Sequence, residues 1–277
     1  MIEEDLTEIL FKHVEEHQLD EGNLSYSAVA RAAAIQKKLS VMTLNSGISD
    51  LSLKQGDSSN CQGFDEKLSS VLLHLVDKVM ETDLSNNSQD PVERIMDLVS
   101  ALVAIYSEEV AEPIVARTIQ FSTVLLERVR AQASNFMGYL ALHLSQRKEE
   151  WAMEWFEALK DALLPRMTDK SQSVRNSAIR ASGKFFTDPE KLTETEDLLE
   201  MLLWNLWHDP SVSNRVAALD ALPVTKETVD HIVTRIRDVK EKVRIQAVEI
   251  LRNKVDPSLH MTSDHFAEIM RSGLSAR

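Results

Sequence analysis

The sequence predicts an all-α fold, and its composition and its apolar periodicity support this. Of the 277 residues only 7 are glycine and 7 are proline. So few turn-forming residues argue against barrels, sandwiches and Rossmann-type domains. The chain is rich in strong helix formers such as Leu, Ala, Glu, Lys and Arg. Hydrophobic residues make up 43% of it, which is enough to bury a core.

Helical periodicity is clearest after Pro91. Ile95, Leu98, Leu102 and Ile105 recur at steps of three and four and form one apolar stripe. We expect Pro91 in the first turn of this helix, with Asp90 as its cap. Further helices are predicted at 114–128, 129–146, 149–165, 172–186, 193–207, 211–222, 226–237, 240–254 and 263–273.

The first ninety residues have a looser pattern. Helices are predicted at 4–18, 25–41 and 65–81, and the polar stretches at 42–64 and 82–90 are predicted to be mobile loops. We therefore divide the chain into a loosely helical acidic part, 1–90, and a helical array, 91–277. The array is expected to be truncated at its C-terminal end, because 264–274 has the pattern of a first helix whose partner helix does not follow.

Charge is distributed unevenly. The net charge is −13; residues 1–100 contain 18 acidic and 8 basic residues, and residues 101–277 contain 26 and 23. Basic side chains cluster locally at 166–184 and 235–254. The single cysteine, Cys61, excludes an intramolecular disulfide, and neither a leader peptide nor a membrane-spanning stretch is evident. These features predict a soluble protein of a reducing compartment.

A short motif occurs three times in the array: an Asp, an Arg six residues later, and an Ala three residues after that. The sets are Asp169/Arg175/Ala178, Asp209/Arg215/Ala218 and Asp238/Arg244/Ala247. A truncated copy without the Asp is predicted at Val129, Arg130 and Ala133. The intervals of 40 and 29 residues are typical of helical-hairpin repeats.

Each residue of the motif has a physical reason. We expect the Asp to lie in the turn of a hairpin and to cap its second helix. The Arg can reach back to that turn, or bind the Asp of a neighbouring repeat with two parallel hydrogen bonds. The small Ala allows close helix packing. The motif resembles the HEAT repeat, which implies an α-solenoid of HEAT-like hairpins, an armadillo-type superhelix.

Other motifs are weaker. His13, Glu16 and His17 match the H-x-x-E-H pattern of inverted zinc proteases, but no further ligands are evident, so no metal site is predicted. The pairs Trp151/Trp155 and Trp204/Trp207 have helical spacing, for which packing between hairpins is favoured over a peptide groove. No nucleophile elbow or nucleotide loop is present. We therefore predict neither an enzyme nor a cofactor.

The stretch from His208 onwards carries a closer resemblance. It contains RVAAL at 215–219, LP at 222–223 and NKV at 253–255, and its most specific part is RDVKEKVR at 237–244. Upstream, LPRMTDK at 164–170 with Val174 and Arg175 also matches. The order resembles the N-terminal HEAT-repeat region of the condensin subunit 3 family. The resemblance implies a non-catalytic subunit in mitotic chromosome condensation that binds a kleisin chain, and through it the SMC ATPase subunits.

The resemblance also implies sequence-independent binding of double-stranded DNA, and a location in the nucleus and on chromosomes with a cytoplasmic pool. Neither a membrane nor a small-molecule substrate is expected. The residues predicted to contact DNA are Lys170, Arg175, Arg235, Arg237, Lys240, Lys242 and Arg244, although the repeat arginines are also expected to tie neighbouring repeats together. The alternative, which the acidic balance favours, is a HEAT adaptor that binds only protein, in transport or phosphatase assembly.

Overall fold

The computed structural model describes residues 58–81, 89–186 and 194–275. These residues form helices joined by short turns, and they contain no strand. The predicted all-α class is thus confirmed, and the fold is of the armadillo/HEAT-like type. The predicted helices at 4–18 and 25–41 lie outside the described part of the chain. So do residues 42–57 of the first predicted loop and residues 82–88 of the second.

The described helices follow the predicted order. They are α1 (Ser58–Glu81), α2 (Gln89–Ile105), α3 (Glu108–Phe121), α4 (Glu127–Leu144), α5 (Glu150–Leu163), α6 (Gln172–Ser182), α7 (Glu196–His208), α8 (Val212–Ala221), α9 (Val229–Thr234), α10 (Glu241–Asn253), α11 (Pro257–His260) and α12 (Ser263–Ser275). Three 3₁₀ segments continue α5, α6 and α9: Leu164–Thr168, Gly183–Phe185 and Arg235–Arg237.

The first helices begin earlier than the sequence pattern indicates. Helix α1 starts at Ser58, so residues 58–64 belong to it and not to the predicted loop. Helix α2 starts at Gln89, which makes Asp90 its second residue. The assignment of Asp90 as the cap is therefore wrong, whereas Pro91 does lie in the first turn. At this position the missing N–H of proline costs nothing, because the N–H groups of the first turn have no intrahelical acceptors.

The helix predicted at 114–128 is displaced. It is α3, Glu108–Phe121, and residues 122–126 form the turn before α4. The prediction failed because Pro113 lies inside α3, where prolines usually end or kink a helix. The acidic Glu108 and Glu109 in the first turn favour the early start, since carboxylates stabilise a helix N-terminus. The short α11 was not predicted; the side chain of Asp256 caps it by accepting from the backbone N–H of Ser258 at 2.8 Å.

The chain divides into two compact units, Met1–Leu159 and Lys160–Arg277, with the division inside α5. The predicted boundary at residue 90 stays a prediction. In the first unit α1 packs against α3, and α2 packs against α4. A buried hydrogen bond of 2.7 Å between His143 Nε2 and Asp97 Oδ1 also joins α4 to α2.

In the second unit alternate helices stack in series: α6 packs against α8, and α8 packs against α10. The alanines of the three motifs, Ala178, Ala218 and Ala247, are all fully buried in these helices. A small residue is needed at this position because a longer side chain would hold the stacked helices apart.

Packing is close at Gly183, where the 3₁₀ segment after α6 meets the end of α8. A Cβ atom at this position would lie 3.0 Å from both Cα and Cβ of Ala221 and 3.3 Å from its carbonyl oxygen. The obstructing atoms are mostly backbone, so they cannot rotate away. The lack of space for a Cβ atom therefore explains the glycine at position 183, because any residue can adopt its backbone φ of −59°.

We expect Gly183→Ala to lower the free energy of unfolding by about 1–3 kcal/mol, because it overpacks this contact. At an unobstructed site with the same backbone conformation, the substitution would stabilise by about 0.4–1 kcal/mol. Urea unfolding of the full chain gives the sign directly. The double variant Gly183→Ala/Ala221→Gly should cost less than the sum of the single changes, since it removes one clashing atom. An unchanged or raised stability of Gly183→Ala would contradict this account.

Candidate functional site

The motif arginines of the second unit reach both back to their own turn and forward to the next one. Nη1 of Arg175 donates to the carbonyl oxygen of Asp169 at 2.9 Å. Its Nε and Nη2 donate to the two carboxylate oxygens of Asp209 at 2.7 and 3.3 Å. One planar guanidinium thus joins two successive hairpin turns with a bidentate ion pair.

The next repeat has the same geometry. Nη1 of Arg215 donates to the carbonyl oxygen of Asp209 at 3.0 Å, and its Nε and Nη2 donate to Asp238 at 3.2 and 3.1 Å. Nη1 of Arg244 donates to the carbonyl oxygen of Asp238 at 3.0 Å. In the first unit Arg130 makes the equivalent backward bond, to the carbonyl oxygen of Val124 at 3.0 Å. We call the series of pairs in the second unit the Arg–Asp ladder.

The motif aspartates hold the turn and do not cap the helix as expected. The cap positions are occupied by the residues two places later, Ser171, Ser211 and Lys240. Oδ1 of each aspartate accepts the backbone N–H of that cap residue at 2.8–2.9 Å. The carboxylate therefore closes the turn before the helix starts, and for Asp209 and Asp238 it also receives the arginine of the preceding repeat.

Asp209 is the most deeply buried carboxylate of the ladder, with a side chain that is 0% exposed. Burial alone would raise its pKa. Hydrogen bonds from Arg175, from the side chain of Asn214 and from the backbone N–H of Ser211 outweigh this and hold the pKa of Asp209 below its ordinary value. The folded chain therefore contains Asp209 as a carboxylate at neutral pH.

Asp238 receives a second arginine as well. Burial would raise its pKa, but bonds from Arg215 and from the backbone N–H of Lys240, with the charge of Arg235, hold it below the ordinary value. Nη1 of Arg235, three residues upstream, donates to it at 3.2 Å. Arg166 makes the same bond to Asp169 at 3.2 Å. This Arg-x-x-Asp pair is a part of the repeat that sequence reasoning missed, although the spacing is visible at both positions.

Arg235 was predicted to contact DNA, but its guanidinium is engaged inside the protein. It is buried, it pairs with Asp238, and it lies 3.7 Å above the ring of Trp207. Desolvation by burial lowers its pKa from the ordinary arginine value, and the charge of Asp238 opposes this shift. A cation stacked on an aromatic face and paired with a carboxylate is a structural element, so we do not retain Arg235 as a ligand contact.

Arg237 and the ladder arginines are engaged as well. Nη1 of Arg237 pairs with Glu268 at 2.9 Å, and its Nε donates to Oγ of Ser272 at 3.0 Å, which ties it to α12. All three guanidinium nitrogens of Arg175 donate hydrogen bonds within the ladder. Arg244 has only the bond to its own turn.

The three lysines that were predicted to contact DNA differ from these arginines in the environment of their charged groups. Lys170, Lys240 and Lys242 are exposed, and within the described part of the chain no hydrogen bond or ion pair engages their ammonium groups. Lys170 and Lys240 follow a ladder aspartate by one and two residues, and Lys242 is the second residue of α10. All three therefore lie at or next to hairpin turns of the second unit. They are the predicted DNA contacts whose charged groups have no partner in the described part of the chain, whereas Arg237 is exposed but ion-paired and Arg244 is held at its own turn.

The tryptophans of α7 are more exposed than packing between hairpins requires. Trp204 is 48% exposed and stacks on His208 of its own helix at a centroid distance of 5.5 Å. Trp207 is 39% exposed, and its Nε1 donates to Nδ1 of His231 at 3.1 Å. Trp207 contacts the next hairpin, as the packing prediction expects. For Trp204 packing between hairpins stays a prediction.

The first unit contains an acidic cleft of about 590 Å³ between α1 and α3, which was not predicted. Its lining includes Asp65, Glu66, Asp77 and Glu109. Such a surface repels a polyanion. No group of three or more metal-ligating side chains occurs among the described residues, and the H-x-x-E-H match at His13, Glu16 and His17 lies outside them. None of the described helices has the length and apolar character that crossing a bilayer requires.

Comparison with known proteins gives a likeness in fold. No family model matches the chain, and no curated protein matches it in sequence. The chain is similar to the crystal structure of the S. pombe condensin Cnd3-Cnd2 subcomplex, with a TM-score of 0.62 and 20% identity. The similarity covers 92% of this chain and 30% of that chain. Our chain thus spans less than a third of that relative.

Two further solved structures are similar at a lower level. A designed armadillo repeat protein has a TM-score of 0.44 and 16% identity, covering 73% of this chain and 88% of that chain. The crystal structure of Cex1p has a TM-score of 0.39 and 15% identity, covering 97% and 54%. The comparisons therefore show a helical-repeat fold that is similar to part of the condensin Cnd3-Cnd2 subcomplex.

The ladder predicts a large cost for removing one partner of a buried pair. Arg175→Met leaves the carboxylate of Asp209 buried without its bidentate partner and should lower the free energy of unfolding by about 3–5 kcal/mol. Arg175→Met/Asp209→Asn should cost less than Arg175→Met alone, because the uncompensated charge is gone. Arg180→Met, an exposed arginine of the same helix, is the matched control and should change stability by less than about 0.5 kcal/mol. Equal costs for Arg175→Met and Arg180→Met in urea unfolding would refute the ladder.

The ladder also predicts that the free energy of unfolding decreases at low pH. The pKa values of Asp209 and Asp238 are lowered by folding. Their contribution to stability is therefore complete above the unfolded value of about 3.9 and is lost as the pH falls through the folded pKa. Below pH 4 the unfolding free energy of Asp209→Asn should fall less steeply than that of the unmodified chain. The exposed Asp264→Asn should keep the original slope; a parallel change in both variants would argue against the pairing.

Proposed function

We propose that this chain is a non-catalytic HEAT-repeat subunit of a condensin-type complex, which binds a kleisin chain and double-stranded DNA in chromosome condensation. The observation that carries the proposal is the fold similarity to the condensin Cnd3-Cnd2 subcomplex across 92% of this chain. That relative was crystallised together with a second subunit. The resemblance of residues 237–244 to the condensin subunit 3 family supports the same assignment from the sequence.

The proposed DNA contact consists of the exposed lysines Lys170, Lys240 and Lys242. Their ammonium groups have no partner in the described part of the chain, and each lies at or beside a turn of the second unit. Lysine binds phosphate as a point charge and reads no base sequence. Binding is therefore driven by the release of counterions, with little sequence preference and a steep dependence on salt.

The proposed partners follow from the same assignment. A kleisin chain links this subunit to the SMC ATPase subunits, so the subunit itself needs neither a cofactor nor a small-molecule substrate. Its place is then the nucleus and the chromosomes, with a cytoplasmic pool.

A second candidate function is a protein-only scaffold, as in transport or phosphatase assembly. Two observations favour it: the net charge of −13, and the engagement of Arg175, Arg215 and Arg235 in internal ion pairs. A chain of this type keeps its protein partners bound in high salt and does not bind DNA. The two candidates thus differ in one measurable property.

The test is the charge-reversed variant Lys170→Glu/Lys240→Glu/Lys242→Glu, assayed with the full chain bound to its kleisin. We expect weaker retention of duplex DNA, and a salt slope of log K that is reduced by about 0.9 for each phosphate that the variant no longer neutralises. The matched control reverses three other exposed lysines, Lys67, Lys148 and Lys226, and therefore changes the net charge equally.

The outcomes separate the two functions. Loss of DNA retention in the first variant only, with kleisin capture intact in both, supports the condensin assignment. Equal loss in both variants means that total charge and not a site is responsible, which removes the three lysines from the proposal. A chain that captures neither kleisin nor DNA, yet remains folded by circular dichroism, overturns the assignment.

A further inference from the structure

The acidic cleft of the first unit lies between two helices that are in direct contact, α1 and α3. Its volume of about 590 Å³ is within the range of about 300–1,000 Å³ that is usual for ligand sites. A further hairpin added to a repeat array stacks on one of its terminal faces. Such stacking would leave a cleft between two helices that are already stacked open.

The carboxylates at one end of this cleft have no cationic partner. Oγ of Ser107 donates to Oδ2 of Asp65 at 3.0 Å and also lies 3.3 Å from Oε2 of Glu109. A hydroxyl has one proton and cannot satisfy both carboxylates. Within the described part of the chain no basic side chain pairs with Asp65, Glu109 or the neighbouring Glu66. This end of the cleft therefore carries uncompensated negative charge.

The rest of the cleft is apolar and then neutral. Along α1 it extends from Glu66 to Asp77, which is about 16 Å at the helical rise of about 1.5 Å per residue. Arg117 pairs with Asp77 at 3.0 Å and compensates the charge at that end. Leu73 and Pro113 line the middle. Leu73 lies about 10 Å along the helix from Glu66, which is the length of about three residues of extended chain.

A buried hydroxyl without a partner lines the same cleft. Ser69 is only 7% exposed, and the surface that it retains faces the cleft. No hydrogen bond engages its hydroxyl in the part of the chain that the structure describes. By contrast, the buried hydroxyls of Ser100 and Thr118 donate to the carbonyl oxygen four residues earlier, at 2.7 and 2.8 Å. An unsatisfied buried hydroxyl is unfavourable, and a polar ligand in the cleft would satisfy it.

We propose that this cleft binds an extended basic segment of a partner chain, in which an Arg or Lys is followed three positions later by an apolar residue. The cation fits the carboxylates of Asp65, Glu66 and Glu109, and the apolar side chain fits Leu73 and Pro113. A volume of about 590 Å³ over this length gives a mean width of about 6 Å, less than the helix diameter of about 10 Å. The segment is therefore extended and not helical.

Other occupants fit less well. A polyanion is repelled by the uncompensated carboxylates. A metal ion needs several converging ligands, and the described residues contain no group of three or more that could hold one. Residues 1–57 of the chain itself contain 10 acidic and 5 basic residues, so they have the wrong net charge. A basic segment of another chain is the complement that remains.

The test uses a short peptide with this spacing, ASRRTLAS, labelled with fluorescein and titrated into the full chain at an ionic strength of about 0.15 M. Anisotropy measures the binding. We expect saturable binding that weakens at least about tenfold with Glu66→Gln/Glu109→Gln, because charge-assisted hydrogen bonds to the peptide are lost. The matched control, Glu112→Gln/Glu154→Gln, removes two exposed carboxylates of the same unit that do not line the cleft. It should change the affinity less than about twofold, because exposed charges are screened by salt.

A further variant separates the cleft from its charge. The longer side chain of Ser69→Met fills the cleft and leaves every carboxylate in place, so it should also weaken binding at least about tenfold. The peptide ASQQTLAS, which has no cation, should bind the unmodified chain as weakly as ASRRTLAS binds the Glu66→Gln/Glu109→Gln variant. Should a protein variant fail to fold by circular dichroism, the comparison of the two peptides on the unmodified chain still decides the question.

Three results would overturn the proposal. Absence of saturable binding to the full chain refutes it, and so does equal binding of the two peptides. Equal losses in both double variants, or unchanged binding by a folded Ser69→Met chain, would mean that general charge attraction and not the cleft is responsible. The residues tested here belong to the first unit, whereas the proposed DNA contacts belong to the second. Failure of this proposal is therefore distinguishable from failure of the proposed function.

Discussion

The second unit depends on burying a charged turn. A carboxylate such as that of Asp209, fully removed from water, is tolerated only when hydrogen bonds and an opposite charge replace its hydration. Arg175 supplies two bonds, and the backbone of Ser211 supplies another. Because the arginine also holds the carbonyl of its own turn, the pair fixes the register between successive hairpins. A slip of one residue would leave a buried charge without a partner, so the pairing selects one stacking arrangement as well as stabilising it.

The same ion pairing determines which basic side chains of the protein remain accessible to a ligand. Arginine suits the interior because its planar guanidinium binds a carboxylate with two bonds and stacks on aromatic rings, as Arg235 does on Trp207. Such arginines increase the number of basic residues in a sequence segment, but they add no positive charge that a ligand can reach. Lysine is more strongly hydrated and stays at the surface, which is where Lys170 and Lys240 lie. The surface available to a polyanion is therefore smaller than the basic segments of the sequence indicate.

The surfaces of the two units differ in character. The first contains an acidic cleft between α1 and α3, which suits neither DNA nor another anion. The second combines unpaired lysines at its turns with exposed aromatic and apolar side chains on α7, α10 and α12. Exposed apolar side chains of this kind are typical of contact surfaces, since they do not improve the stability of an isolated chain.

Local chemistry was enough to predict the helices and the repeat. Apolar spacing, scarce glycine and the recurring Asp, Arg and Ala identify an all-α array, because periodicity and turn residues act within a few positions of the chain. Local chemistry also indicated that the arginine could bind a neighbouring aspartate. It could not decide whether Arg235 and Arg237 face a ligand or a carboxylate, because Trp207 and Glu268 come close to them only when hairpins stack. The exposure of Trp204 was likewise decided by tertiary packing, which depends on residues far away in sequence.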